Sequence, residues 1–357
     1  MEEKVHSITS IKRRFHSLDF LKFFLAVIIV FHHFQQIMEI KFEHINFFYG
    51  RFYFGYAVEF FFIISGFVIA IQVQRKAMGS FRAWMLGKMS RILPMAVLSV
   101  FVILVVDFVE TLFGKGTMPG LWTIVTSLSC TFVGGVQLSS LGVNNPLWYV
   151  SVLFICDAIL YCLIRISASI KVSVHYFYIA MVLLGLGIHY WNINLPFMNG
   201  QVSRGYVCFF LGMLLYELYE KHGNDKKLFM ISFLITAAVL FCVVKNYMID
   251  DIWTILTFIL FPAVLFSFLG AERIFFSKIF AVLGAVSFEM YLWHVPFLCL
   301  YKPARKVLGI TVPITHIEMI CFTVVLILFC APTALVLEKK IKSICKKFLK
   351  FDNRSAK

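Results

Sequence analysis

Ten stretches of this chain are long, apolar and almost uncharged, each close to the roughly 20 residues a helix needs to cross a hydrocarbon core. They lie at about 18–38, 52–74, 92–112, 146–165, 176–190, 204–219, 228–246, 252–270, 279–300 and 317–337. No water-soluble fold of this length can hide them. Of 357 residues, 61% are hydrophobic and 15% charged, against roughly 45–50% and about 25% in soluble domains. A soluble enzyme, a secreted disulfide scaffold and a disordered chain are thereby excluded. The expected fold is all-α, a polytopic membrane protein of about ten transmembrane helices in one domain.

Charge placement gives the expected topology. With 121–137 treated as re-entrant or interfacial, the segments 1–17, 75–91, 165–175, 220–227, 271–278 and 338–357 share one side and carry 24 Lys and Arg. The opposite segments carry 7 of the total of 33. Basic residues mark the cytoplasmic side, so both termini are expected there. If 121–137 crossed, the tail KKIKSICKKFLK would leave the cytoplasm. The net charge of +14 is therefore topogenic, and no nucleic-acid partner is expected. The nine Cys are scattered without a CxxC pair, so neither a metal site nor a disulfide framework is expected. No cleavable signal peptide is read, because the first apolar run is a full span.

Two cations, Lys22 and Arg204, fall inside the expected spans. An intramembrane charge costs at least about 2.5–3.5 kcal/mol and so faces a cavity or a partner. In SLDFLKFFLAVIIVFHHF, Lys22 and His33 are eleven residues apart, about 20° past three helical turns and roughly 16 Å along the axis. They share a face, while His32 points about 80° away. Asp19, three residues before Lys22, can pair with it. Imidazole is the side chain best suited to take a proton near neutral pH, which makes His33 the candidate general base.

Other spans bring polar groups to a similar depth. Glu59 in GYAVEFFFIISGFVIA is expected near the level of His33, where a carboxylate can orient an imidazole. Ser65-Gly66 on the same helix reads as a close-packing pair. Trp148 and Tyr149 open NNPLWYVSVLFICDAILY either as interfacial aromatics or as substrate contacts, and Asp157 follows deeper with no assignable partner. Arg204 sits at a helix end, free to snorkel or to hold substrate. Ser287, Glu289, Tyr291 and His294 crowd SFEMYLWHVP, so one face of that helix lines a cavity. The segment RKAMGSFRAWMLGKMSRILP holds Arg75, Lys76, Arg82, Lys88 and Arg91, which topology explains and which could also cradle phosphates. Lys302, Arg305 and Lys306 in KPARK run against the charge rule, with lipid headgroups as the expected partners.

These motifs together resemble the acyltransferase-3 family of bacterial membrane O-acyltransferases. The likeness rests on the Lys22-to-His33 spacing, GYAVEFFFIISGFVI, FRAWMLGKMSRILP, PLWYVSVLF, RGYVCFFLGMLL, SFEMYLWHVP and the closing LVLEKK with Glu338, over about residues 17–340. It implies an enzyme of the bacterial inner (cytoplasmic) membrane that takes an acyl group, commonly acetyl, from cytoplasmic acyl-CoA. The acceptor would be a hydroxyl of a cell-surface glycan or lipid-linked saccharide. By this likeness His33 matches the catalytic histidine, Lys22 the cation near the donor side, and Arg91 the basic residue after the second helix. Many members carry a Glu-Glu pair after the residue matching Trp148; here the segment reads YVSVLFICDAILY.

The reading is a cytoplasmic segment 1–17, a transmembrane acyltransferase domain 18–340 and a basic tail 341–357. Catalysis is placed at His33, Glu59 and His294. Acetyl-CoA is placed at Lys22, Lys88 and Arg91, and the acceptor at Trp148 and Arg204, among membrane lipids and with no metal. A multi-pass transporter or flippase for a glycan or lipid-linked sugar is the rival, although no inverted repeat is visible. A lipid-linked glycan polymerase would be expected to show a larger outer loop.

Overall fold

The computed structural model describes residues 14–50, 53–75, 78–131, 142–223, 225–245, 251–337 and 340. Residues 1–13, Lys76, residues 132–137 of the expected re-entrant segment, Glu338 and the tail 341–357 lie outside them. The described residues are mostly helical, with one isolated β-bridge between Leu195 and Met198 and no strand among them.

Seven stretches are long and apolar enough to cross a membrane: His16–Met38, Phe54–Gln74, Phe81–Leu112, Asn145–Ile170, Ile252–Gly270, Lys278–Val307 and His316–Val336. They contain α1 (His16–Met38), α2 (Ala57–Arg75), α3 (Phe81–Leu112), α5 (Trp148–Ile170), α9 (Ile252–Ile255) continuing into α10 (Phe261–Gly270), α11 (Lys278–Val307) and α12 (His316–Pro332). The expected spans at 176–190, 204–219 and 228–246 also fall on helices, namely α6 (Val174–Tyr190), α7 (Gly200–His222) and α8 (Lys226–Val244). These three are not among the seven. At 17 residues α6 is about 26 Å long, short of a hydrocarbon core of about 30 Å. The described part of the stretch at 121–137 holds α4 (Leu121–Leu128), whose 8 residues are by themselves too short to cross.

The segment 75–91, expected as a connection, is half helix. The Ser80 side chain accepts from the Ala83 amide and starts α3 at Phe81, so Arg82, Lys88 and Arg91 ride on its first turns. Side chains of Asn199, Ser277 and Thr315 cap α7, α11 and α12 in the same way.

Successive long helices run in alternate directions, and α1 and α11 lie side by side and parallel. Asp19 lies against Gly284 near their starts, and Lys302 Nζ meets the Ile37 carbonyl near their ends. Arg14, Lys22 and Arg91 thus belong to one end of the bundle, called here the basic end. The span containing α2 is 72% buried and α7 is buried on nearly every turn, whereas α3 and α12 are 28% and 33% buried and turn Phe101, Phe108 and Leu328 outward. The central α2–α7 contact depends on two glycines. A Cβ on Gly66 would overlap the Phe209 carbonyl, and one on Gly212 the Ile63 carbonyl, so small residues let the two backbones touch.

Candidate functional site

Five helices converge on a cavity of about 460 Å³. Its basic end is built around the start of α1. Glu272, from the turn after α10, accepts from the backbone amides of His16 at 2.8 Å and Ser17 at 3.0 Å. A carboxylate from elsewhere in the chain thus satisfies amides that the first helical turn leaves open. This fixes Asp19, buried at 4% exposure, between two cations. Lys22 Nζ lies 2.7 Å from it, as the sequence spacing predicts, and Arg14 Nε bonds its other oxygen. Arg14 Nη2 also donates to the Ala281 carbonyl at 2.7 Å. Gly284 on α11 permits the arrangement, since any Cβ there would collide with the Asp19 carboxylate. Arg91 of α3 faces the same cavity. Three cations and one carboxylate therefore leave a net positive mouth.

Farther in, the lining turns neutral and hydroxylic. Ser65 Oγ and Tyr149 Oη share a 2.8 Å hydrogen bond, and Ser287 lies opposite on α11. Three rings close the far end: Phe61, Tyr149 and Tyr291, with centroids 5.5–6.1 Å apart. Each is the lining residue of its helix farthest from the basic end. Tyr291 Oη donates to the Pro146 carbonyl at 2.5 Å, which pins its ring.

Beyond this closure stand two imidazoles. The His294 ring is 5.9 Å from that of Tyr291, and His33 is 5.0 Å from His294. His33 Nδ1–H donates to Gln36 Oε1 at 2.8 Å, leaving Nε2 as the proton acceptor. His294 Nδ1–H donates to the Met290 carbonyl at 3.1 Å, and its Nε2, fully buried, has no partner among the described residues. His32 points elsewhere, as the helical phase requires: it is buried, bound to the Phe47 carbonyl at 3.0 Å and perpendicular to His33.

Two expected contacts are replaced by others. Glu59 does not orient His33. Its fully buried carboxylate accepts from Arg204 Nε at 2.6 Å, Arg204 Nη2 at 2.7 Å and Trp253 Nε1 at 3.0 Å. The reason is charge: a guanidinium entering the same layer from α7 satisfies both carboxylate oxygens in a fork that an imidazole cannot match. Arg204 lies over the Trp148 ring at 4.7 Å, so the two expected acceptor residues do meet, and His189 stacks on Trp253 at 4.0 Å. Lys88 does not line the cavity either. It pairs with Asp157 at 3.2 Å and lies over Trp84, whose Nε1 donates to the Asp157 carbonyl. Buried groups of opposite sign on adjacent helices pair rather than remain separate.

Arg14, Phe61 and Ser65 are site residues that sequence reasoning left aside. Arg14 precedes the helix, Ser65 reads as packing beside Gly66, and Phe61 is one of 41 Phe with no distinguishing pattern. Tyr149 reads equally as a membrane-interface aromatic or a substrate contact, and nothing in the sequence points to Trp253 as the second partner of Glu59.

A family model described as an acyltransferase domain matches residues 15–336, nearly the whole chain. No curated protein matches the chain, and no solved structure does.

Proposed function

We propose a reaction from one premise, that the chain belongs to the acyltransferase-3 family and is a membrane acyltransferase. It moves an acyl group, most simply acetyl, from acyl-CoA to a hydroxyl of a glycan or lipid-linked saccharide. The basic end faces the cytoplasm of a bacterial inner membrane, where acyl-CoA is made, and the acceptor arrives from the opposite side. The observation that carries this reading is the order of groups along one axis. A cationic mouth leads to a hydroxyl-lined cavity of about 460 Å³, and two imidazoles follow one helical turn past its closed end.

The residues fit the donor by chemistry. Arg14, Lys22 and Arg91 offer charge-assisted bonds to phosphate oxygens. Ser65, Ser287 and Tyr149 can pair with the amides and hydroxyl of a pantetheine arm. His33 Nε2 removes the proton from the acceptor hydroxyl as its oxygen bonds to the acyl carbon. The carbon–sulfur bond then breaks, and the proton passes from His33 to the departing thiolate. The buried lone pair of His294 gives a second acceptor beside His33, able to hold the acceptor hydroxyl or to share the proton. Arg204 and Trp148 stand ready for the saccharide, while Glu59 holds Arg204 in place.

The test uses purified chain in nanodiscs titrated with acetyl-CoA, with thermal stability and CoA release recorded. Stabilisation together with CoA release that His33→Ala abolishes is the expected result; His32→Ala controls for mere proximity. No stabilisation by any acyl-CoA, or undiminished release by His33→Ala, refutes the reading.

A further inference from the structure

The lining of the donor cavity stops at three rings and includes neither histidine. Phe61, Tyr149 and Tyr291 stand between the cavity and the histidine pair in ring-to-ring contact, and the nearer histidine ring is 5.9 Å beyond Tyr291. Reacting atoms must come within about 3–3.5 Å. An acyl carbon held below the three rings is therefore too far from any hydroxyl that His33 deprotonates, and one ring must move.

The three rings are not equally free. Tyr149 is held by Ser65 at 2.8 Å and Tyr291 by the Pro146 carbonyl at 2.5 Å, and both are buried. Phe61 has no polar anchor and is only partly buried, its exposed part facing the cavity it lines. Turning its ring costs no hydrogen bond, whereas moving either tyrosine strands a buried hydroxyl, at about 1–3 kcal/mol.

We propose that Phe61 is the moving member of a three-ring gate and the residue that sets which acyl groups pass. This rests on the acyl-CoA reading above. When the Phe61 ring swings aside it leaves a slot one ring wide, bounded by two fixed tyrosines. A linear acyl group threads that slot, and a branched or aryl group does not. Closure of the same ring keeps water in the donor cavity away from His33 between turnovers.

The experiment measures CoA released from acetyl-, butyryl-, isobutyryl- and benzoyl-CoA, with water as acceptor, by chain in nanodiscs. The unmodified protein is compared with Phe61→Leu, which keeps most of the volume, and Phe61→Ala, with acetyl-CoA stabilisation recorded for each. The unmodified chain is expected to prefer the two linear donors by about tenfold or more, the size of discrimination that steric fit can supply. Phe61→Ala should erase most of that preference and Phe61→Leu part of it, with acetyl-CoA still stabilising both variants. Unaltered preference in both variants, with acetyl-CoA still bound, overturns the gate and leaves the acyl-CoA reading standing. No release from any donor by the unmodified chain overturns that reading, and the gate with it.

Discussion

Replacing Glu59 separates a structural role from a catalytic one. Its carboxylate is fully buried and accepts three hydrogen bonds, two from an Arg204 side chain that is 22% exposed. Glu59→Gln keeps the shape but, whichever way the amide is turned, sets its N–H₂ against a donor. It also leaves a mostly buried guanidinium without its counter-charge. Breaking one side of such a pair costs about 3–5 kcal/mol, or about two to three and a half decades in the unfolding equilibrium at about 1.4 kcal/mol per decade. Arg204→Met should cost as much from the other side, plus about 0.5–2 kcal/mol for the contact with Trp148. The double variant leaves no charge unpaired, so it should be more stable than either single variant, with a coupling of about 3 kcal/mol. The assay is SDS-titrated unfolding in mixed micelles, followed by the fluorescence of the six Trp. A Glu59→Gln protein as stable as the unmodified chain, or a double variant that loses the sum of both, would refute the argument. If Glu59 instead oriented His33, the loss would fall on turnover while stability held.

Lys22 and Lys88 should behave in opposite ways. Lys22 lines the cavity, so Lys22→Ala should raise the KM for acyl-CoA about tenfold or more, Lys22→Arg much less, because one charge-assisted bond is worth about 1.5–3 kcal/mol; equal KM values in the two variants would mean that the position needs no cation. Lys88 is spent on Asp157, so Lys88→Ala should destabilise the fold in the same SDS titration and leave the KM of the surviving protein unchanged, and an effect on KM alone would return Lys88 to the donor site.

Helical phase is where the sequence was most legible. The eleven-residue step from Lys22 to His33 places both on one stripe, and the structure puts Lys22 at the cavity mouth and His33 beside His294, with His32 turned away. Charge and hydropathy located every helix that carries a site residue, because long apolar runs have few alternatives in a bilayer. Partners across helices were a different matter. Glu59 and His33 lie at similar depth by residue counting, yet depth says nothing about azimuth, and Arg204 reached the carboxylate from α7. Lys88 and Asp157, 69 residues apart, carry no local signal of their contact. Local reading also broke at Ser80, whose cap extends α3 through residues expected to form a connection.

Polar groups buried in an apolar bundle sort into two kinds by what their atoms are bound to. In the pairs Glu59–Arg204 and Lys88–Asp157 the charges are matched and each side chain is occupied with its partner, so their chief effect is to hold α2 to α7 and α3 to α5. His294 differs: it is fully buried and keeps an Nε2 that nothing among the described residues satisfies. Leaving such an atom unpaired costs about 1–3 kcal/mol. A hydroxyl brought between His294 and His33 would supply the missing bond and be placed beside a base in the same step. The matched charges of the interior hold the bundle together, and in the reaction proposed above the unmatched nitrogen is where the acceptor hydroxyl would bind.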